Sequence, residues 1–280
     1  MRKRKYLLIS SFFVLTILAP QLVYAEVRVV ATLGDLGAAA REVGGEHVEV
    51  TTLAAPQEDP HFVDAKPSYV REVARADLLV VNGMSLEVGW LPTLLDNSRN
   101  GAVQEGQPGY FDASTVIDRK EVPKTEITRS MGDVHPEGNP HYTFDPRQMA
   151  RVGLALGKRL GAVDPKHADT YRKRARSFAR KCLKVARTWK NKFAALQAAR
   201  RRGVVYHEAW IYALDWLELE RVTAVEPKPG VEPNPRHVKE VIETMKARDI
   251  GLLLKMEYYP SATAERIAQK VGAEVVTSQG

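Results

Sequence analysis

The chain has little that could staple or signpost it. Cys182 is its only cysteine, so no intramolecular disulfide can form and the fold must rest on its core. There is no Gly-x-Ser-x-Gly elbow, no phosphate-binding loop and no Gly-x-Gly-x-x-Gly after a strand, so the common signatures of hydrolases and nucleotide binders are missing. The nearest approach to a zinc-protease motif is His207-Glu208-Ala209-Trp210-Ile211, where Ile211 stands in place of the second histidine. No repeat of short period and no low-complexity tract is present. Between Lys166 and Arg202 there is no glycine or proline, and from Arg172 to Arg202 there is no acid against 13 Lys or Arg.

What is there begins with a basic start, Met-Arg-Lys-Arg-Lys, followed by an apolar run from Tyr6 to Ala19 and then Val23-Tyr24-Ala25. This reads as a signal peptide over residues 1–25 with cleavage after Ala25, and the expected compartment is the periplasm. The apolar run of about 14 residues is short of the roughly 20 that span a bilayer. No cysteine stands at the cleavage point, which disfavours a lipid anchor. Removing the four basic leader residues lowers the formal charge from +7 to +3 (7 − 4). That modest excess, with export, argues against a nucleic-acid partner, and the basic residues of 172–202 read as the solvated face of a surface helix.

After the leader, strand and helix patterns alternate. Strands are expected at 27–31, 48–53 and 78–82, with helices at 36–43, 67–76 and 86–95. Residues 97–140 read as mostly loop, with a weak strand near 115–118. Beyond the long helical stretch come strands at 204–206, 222–225, 250–256 and 273–276, and helices at 208–217, 236–248 and 261–271. This order predicts an α/β fold with parallel sheets. Asp164-Pro165 offers an N-cap with proline at the first helical position, and Gly203 offers a stop. Phe178, Cys182, Val185, Trp189, Phe193 and Leu196 draw one apolar stripe between them. A helix of that length would be a rod of roughly 55 Å. The organisation predicted is an N-terminal lobe at 26–145, a helical linker at 146–202 containing a bridging helix at 165–202, and a C-terminal lobe at 203–280.

Three of the seven histidines stand apart. His61 (Asp59-Pro60-His61), His141 (Asn139-Pro140-His141) and His207 (Val205-Tyr206-His207) each follow a strand or a tight proline turn, where open α/β sheets place ligands. Long stretches separate them, so if they meet, they meet across a folded cleft. Neutral imidazoles gathered this way suit a borderline-soft divalent metal such as zinc. His47, His167 and His237 lack such a setting. His135 reads as a polar loop residue, with an auxiliary ligand as the alternative.

These histidines lie in stretches that resemble the ZnuA/TroA-like solute-binding proteins, the zinc- and manganese-binding components of bacterial ABC transporters. The matching runs are Asp59-Pro60-His61 with Lys66-Pro67-Ser68, Ala76-Asp77-Leu78-Leu79-Val80-Val81-Asn82-Gly83, Gly138-Asn139-Pro140-His141 with Asp145-Pro146, and Tyr206-His207-Glu208-Ala209-Trp210. Glu226-Pro227-Lys228-Pro229-Gly230, Glu232-Pro233 and Pro235-Arg236-His237 also match. The resemblance implies two α/β lobes bridged by one long helix, a metal in the interlobe cleft, and His61, His141 and His207 as ligands.

It also implies capture of Zn²⁺, with Mn²⁺ as the alternative, delivery to an ABC transporter permease, a monomeric state and no catalysis. A secreted zinc-dependent hydrolase, with Glu208 as general base, is the rival reading. Relatives commonly add a carboxylate from the loop after a strand like 273–276, and the chain stops at Gly280 before such a residue. The fourth position is left to water, to Glu257 or to a residue beyond Gly280; for Glu257, loop packing is the plainer role.

Overall fold

The computed structural model describes residues 26–128, 131–197 and 201–279; the leader read over residues 1–25 lies outside them. Two four-stranded parallel sheets organise the chain. The first takes β1 (Val27–Ala31), β2 (Val48–Thr52), β3 (Leu78–Val81) and β4 (Tyr110–Asp112) in the order β2-β1-β3-β4. The second takes β5 (Arg202–Val205), β6 (Glu220–Ala224), β7 (Leu252–Met256) and β8 (Glu274–Ser278) in the order β6-β5-β7-β8. The two lobes thus share one strand permutation, and each reverses direction beside its first strand. Crevices at the carboxyl ends of strands, at such a reversal, are where open α/β sheets take ligands.

Helices cover both faces of the first sheet. Val29, Ala31, Leu78 and Val80 point to one side, where they meet α1 (Gly34–Gly44) and two later helices. Val30, Leu79 and Val81 point to the other, against α2 (Pro67–Arg75) and α3 (Leu91–Ser98). Alternate residues of each strand therefore serve two cores, which is why these strands read as unbroken apolar runs. In the second sheet Val204 and Leu253 face α7 (Pro235–Ala247) and α8 (Ser261–Val271), while Val205 and Leu254 face α6 (Ile211–Leu217).

The linker departs from expectation. Residues 146–202 hold two antiparallel helices, α4 (Pro146–Val163) and α5 (Ala168–Ala194), joined through a single 3-10 turn at Pro165–His167. The bridging helix expected over 165–202 is therefore shorter, about 40 Å rather than about 55 Å. Absence of Gly and Pro permits a helix but does not sustain one. Almost every side chain described from Arg187 to Gln197 is exposed, so no packed face holds the last turns together. Asp164 ends α4, and its carboxylate meets His167 Nδ1 at 2.6 Å and accepts from Tyr171 Oη at 2.7 Å, which fixes the reversal. Gly153 and Gly157 on α4 leave room for Phe178 and Ala175 of α5, where a Cβ would collide. Met149, Val152, Leu156, Leu160 and Tyr171 join the core of the first lobe, so both helices pack on it.

Two smaller expectations also shift. Residues 115–118 are not a strand; β4 lies at Tyr110–Asp112, and Asp112 caps the 3-10 turn Ala113–Val116 by accepting from Ser114 N. The helix expected from Leu86 starts only at Leu91, because Met84 and Ser85 adopt left-handed backbone (φ 55° and 59°) and Glu87 turns inward.

The lobes meet along a polar seam. Tyr212 Oη donates to Asn139 O (3.1 Å) and accepts from Lys120 N (3.0 Å), and Trp216 Nε1 donates to Phe144 O (2.9 Å). Asp215 pairs with Lys120 and Arg147, and Lys190 of α5 pairs with Glu218.

Candidate metal centre

The seam delivers three histidines to one place. His61 and His141 are presented by the same local device. Asp59 Oδ1 accepts from His61 N (3.0 Å) and lies 2.7 Å from His61 Nδ1. Asn139 Oδ1 accepts from His141 N (3.1 Å) and lies 3.0 Å from His141 Nδ1. In both, an Asx side chain folds over a proline of fixed φ and grips the histidine two residues on.

His207 is placed by the sheet. β5 and β6 run parallel with Val205 beside Ala224, and the ladder continues through Val225 N to Val205 O and Glu226 N to Tyr206 O. Two residues beyond that pair, His207 and Glu226 stand side by side, with Nδ1 2.7 Å from Oε2. Gly230 N donates to the same Glu226 oxygen at 3.0 Å, holding the carboxylate in position.

Each Nδ1 thus faces an oxygen acceptor, which fixes its proton there and leaves Nε2 bare. His61, His141 and His207 each offer a ligand atom, and the three atoms lie within 4.8 Å of one another; among the described residues this is the one group of three or more that could hold a metal ion. His141 Nε2 is buried without a hydrogen-bond partner. A buried lone pair with no donor opposite it is costly, and a cation removes that cost. Burial, and then the neighbouring His207, His61 and His135, push His141 well below the usual imidazole range, so its ring is neutral and able to ligate. At Asp59 burial opposes ionisation, hydrogen bonds from the ring and backbone of His61 favour it, and the net shift is downward.

The other candidates fall elsewhere. Glu257 is exposed, outside the histidine group, and its N–H bonds Ser278 O at 2.8 Å as part of the β7–β8 ladder. Glu208, the base a hydrolase would need, is ion-paired to Arg221. His135, read as a polar loop residue with an auxiliary ligand as the alternative, stands outside the group of three and beside His61, with its Nε2 3.2 Å from His61 Nε2. The orienting residues Asp59, Asn139 and Glu226 were not singled out as such in the sequence. The repeated Asx-Pro-His pattern carries a signal for the first two, while Glu226 depends on strand register.

Two parallel α/β lobes joined by a long helix, with a histidine cluster at the cleft, define a metal-binding solute-binding protein. The family described as "Zinc-uptake complex component A periplasmic" (ZnuA) matches residues 29–280, and the chain belongs to that family. Among its relatives is the manganese ABC transporter substrate-binding lipoprotein PsaA of Streptococcus pneumoniae, 23% identical over 231 residues, covering 81% of this chain and 71% of that protein. The iron ABC transporter substrate-binding lipoprotein MtsA of Streptococcus pyogenes is 24% identical, covering 79% and 69%. A crystal structure of ZnuA superposes with a TM-score of 0.76 at 21% identity, covering 90% of this chain and 91% of that one, and so shares the fold. A laminin-binding protein of Streptococcus agalactiae (Lmb) superposes with a TM-score of 0.73 at 23% identity, covering 90% and 88%.

Proposed function

We propose that the protein captures Zn²⁺ outside the cytoplasm, through the Nε2 atoms of His61, His141 and His207, and passes it to the permease of an ABC transporter. The observation that carries this reading is the orphaned, buried Nε2 of His141 beside two other imidazoles whose protons are committed elsewhere. An all-nitrogen donor set favours zinc, with Zn–N bonds of about 2.0–2.1 Å, over manganese, which prefers oxygen. The carboxylates of Asp59 and Glu226, each one ring away from the ion, balance its two positive charges.

Manganese is the second reading, favoured by the relatives named for manganese and iron transport. The ion is cargo, so no chemistry is done on it. Release requires the cleft to open and the ligand set to come apart. Export through the leader over residues 1–25 and a monomeric state belong to the same proposal. Elemental analysis of purified protein, with competition titration of His61→Ala, His141→Ala and His207→Ala, tests it. Each substitution is expected to weaken Zn²⁺ capture, and unchanged affinity in any one removes that residue from the site.

A further inference from the structure

Two turns of the same design carry His61 and His141, yet one opens with Asp59 and the other with Asn139. For gripping a histidine the carboxylate is the stronger acceptor, and it adds negative charge one ring away from a bound cation. Asn139 lacks that charge but has N–H groups to donate. Its Nδ2 reaches across the seam to Glu208 O at 2.9 Å, in the residue that follows His207. The direction of this bond does not depend on any ring's tautomer. Asn139 Oδ1 accepts from the backbone N–H of His141 at 3.1 Å, so the amide can turn only one way. Reversed, it would set N–H against N–H and oxygen against oxygen. The Asp59 carboxylate, by contrast, hydrogen-bonds only His61 among the described residues.

Resting on the metal-capture reading above, we propose that Asn139 is a positioning residue that latches two ligand loops together across the seam, so that His141 and His207 meet and leave the ion as a pair. One side chain holds His141 with its oxygen and the loop after His207 with its nitrogen. The backbone of the same residue is tied on both sides as well. Its N–H donates to Lys120 O at 2.8 Å within the first lobe, and its carbonyl accepts from Tyr212 Oη of the second at 3.1 Å. Asn139 Nδ2 also lies 3.4 Å from Glu121 Oε2. Parting the lobes breaks the bond to Glu208 O and releases the amide that grips His141. Opening the cleft therefore loosens both ligands in one movement.

The test follows Zn²⁺ release from the full chain into excess chelator by stopped flow, for wild type and Asn139→Asp, each also in a Glu121→Gln background. That background removes the like charge that would face the new carboxylate. Aspartate keeps the acceptor for His141 and adds the charge found at Asp59, but it cannot donate to Glu208 O. A latch requires release to quicken in both backgrounds, by roughly three- to ten-fold, the worth of one such hydrogen bond. If Asn139 only orients His141, release stays unchanged or slows, and that result overturns the latch. Amide hydrogen exchange of the metal-free protein gives a second reading that needs no ion. Exchange across residues 207–211 should rise by a similar factor in Asn139→Asp and in Asn139→Ala. Wild-type exchange there in both variants would overturn the latch alone. Equal Zn²⁺ affinity in wild type and His141→Ala would overturn the metal centre, and the release argument with it.

Discussion

His207 Nδ1 and Glu226 Oε2 lie 2.7 Å apart at the ends of two adjacent parallel strands, both buried. Because sheet register rather than a local turn sets this pair, the carboxylate can be altered without disturbing the backbone that carries the histidine. Glu226→Gln keeps an acceptor oxygen and removes the charge, whereas Glu226→Ala removes both. Zn²⁺ affinity should fall by roughly 10–100-fold in Glu226→Ala and by less in Glu226→Gln, with the far-ultraviolet circular dichroism unchanged. Competition titration against a chelator reads the difference, and equal affinities in all three proteins would show that Glu226 does not orient the ring.

Proton competition at His141 should set in at lower pH than at an ordinary histidine. A ligand must be neutral to bind, so affinity falls once pH drops below its pKa. His141 is held well below the usual value of about 6.5, and His135 at about 4, both chiefly by burial. The His141 ring should therefore stay neutral through about pH 6.5, read from its ring-proton NMR signals in the metal-free protein from about pH 8 downward. A midpoint for that ring at or above about 6.5 would contradict the burial argument.

Glu87 predicts an opposite pH dependence for stability. Its carboxyl is buried in the first lobe, where it accepts from Thr32 Oγ1 and Asn82 N (both 2.6 Å) and from Gly83 N (3.1 Å). Burial outweighs these bonds and pushes it up to about 7. A folded pKa above the unfolded one means the native state holds the proton more tightly. The stability from this group is full below about pH 4.5 and is lost as pH rises through about 7, by at most about 3 kcal/mol. Urea unfolding of wild type and Glu87→Gln across pH 4.5–8 should show a slope in the difference, and a flat difference would refute the shift.

Closure around the ion should be slight. The seam of Tyr212 to Asn139, Trp216 to Phe144, Asp215 to Arg147 and Lys190 to Glu218 ties the lobes together, and α5 packs along the first of them. Small-angle scattering of metal-free and Zn²⁺-loaded protein is expected to show nearly equal radii of gyration. A difference of several Å would mean that the seam breaks on binding.

Much of this was legible along the chain. The alternation of apolar runs with helical patterns settled two parallel α/β lobes, because strands buried on both faces must be apolar throughout and a parallel sheet needs crossover helices. The positions of His61, His141 and His207 after strands or proline turns marked them as candidates, because backbone ends there regardless of what packs around it. The length of the bridging helix was not legible: composition reports what a helix tolerates, and only packing on α4 decides where it stops. The contact of His135 with His61 was not legible either, since His135 sits in a loop whose path no periodicity records.

Sequence alone therefore determined most of the elements, their order and the residue types that could ligate, since these depend on local propensity and on side-chain period. Tertiary structure alone decided that three imidazoles share one point, that Glu226 comes beside His207, and that His135 reaches His61. Distances between residues so far apart along the chain, 74 positions for His61 and His135, are set by strand register and by how two lobes pack, and no local rule carries that information.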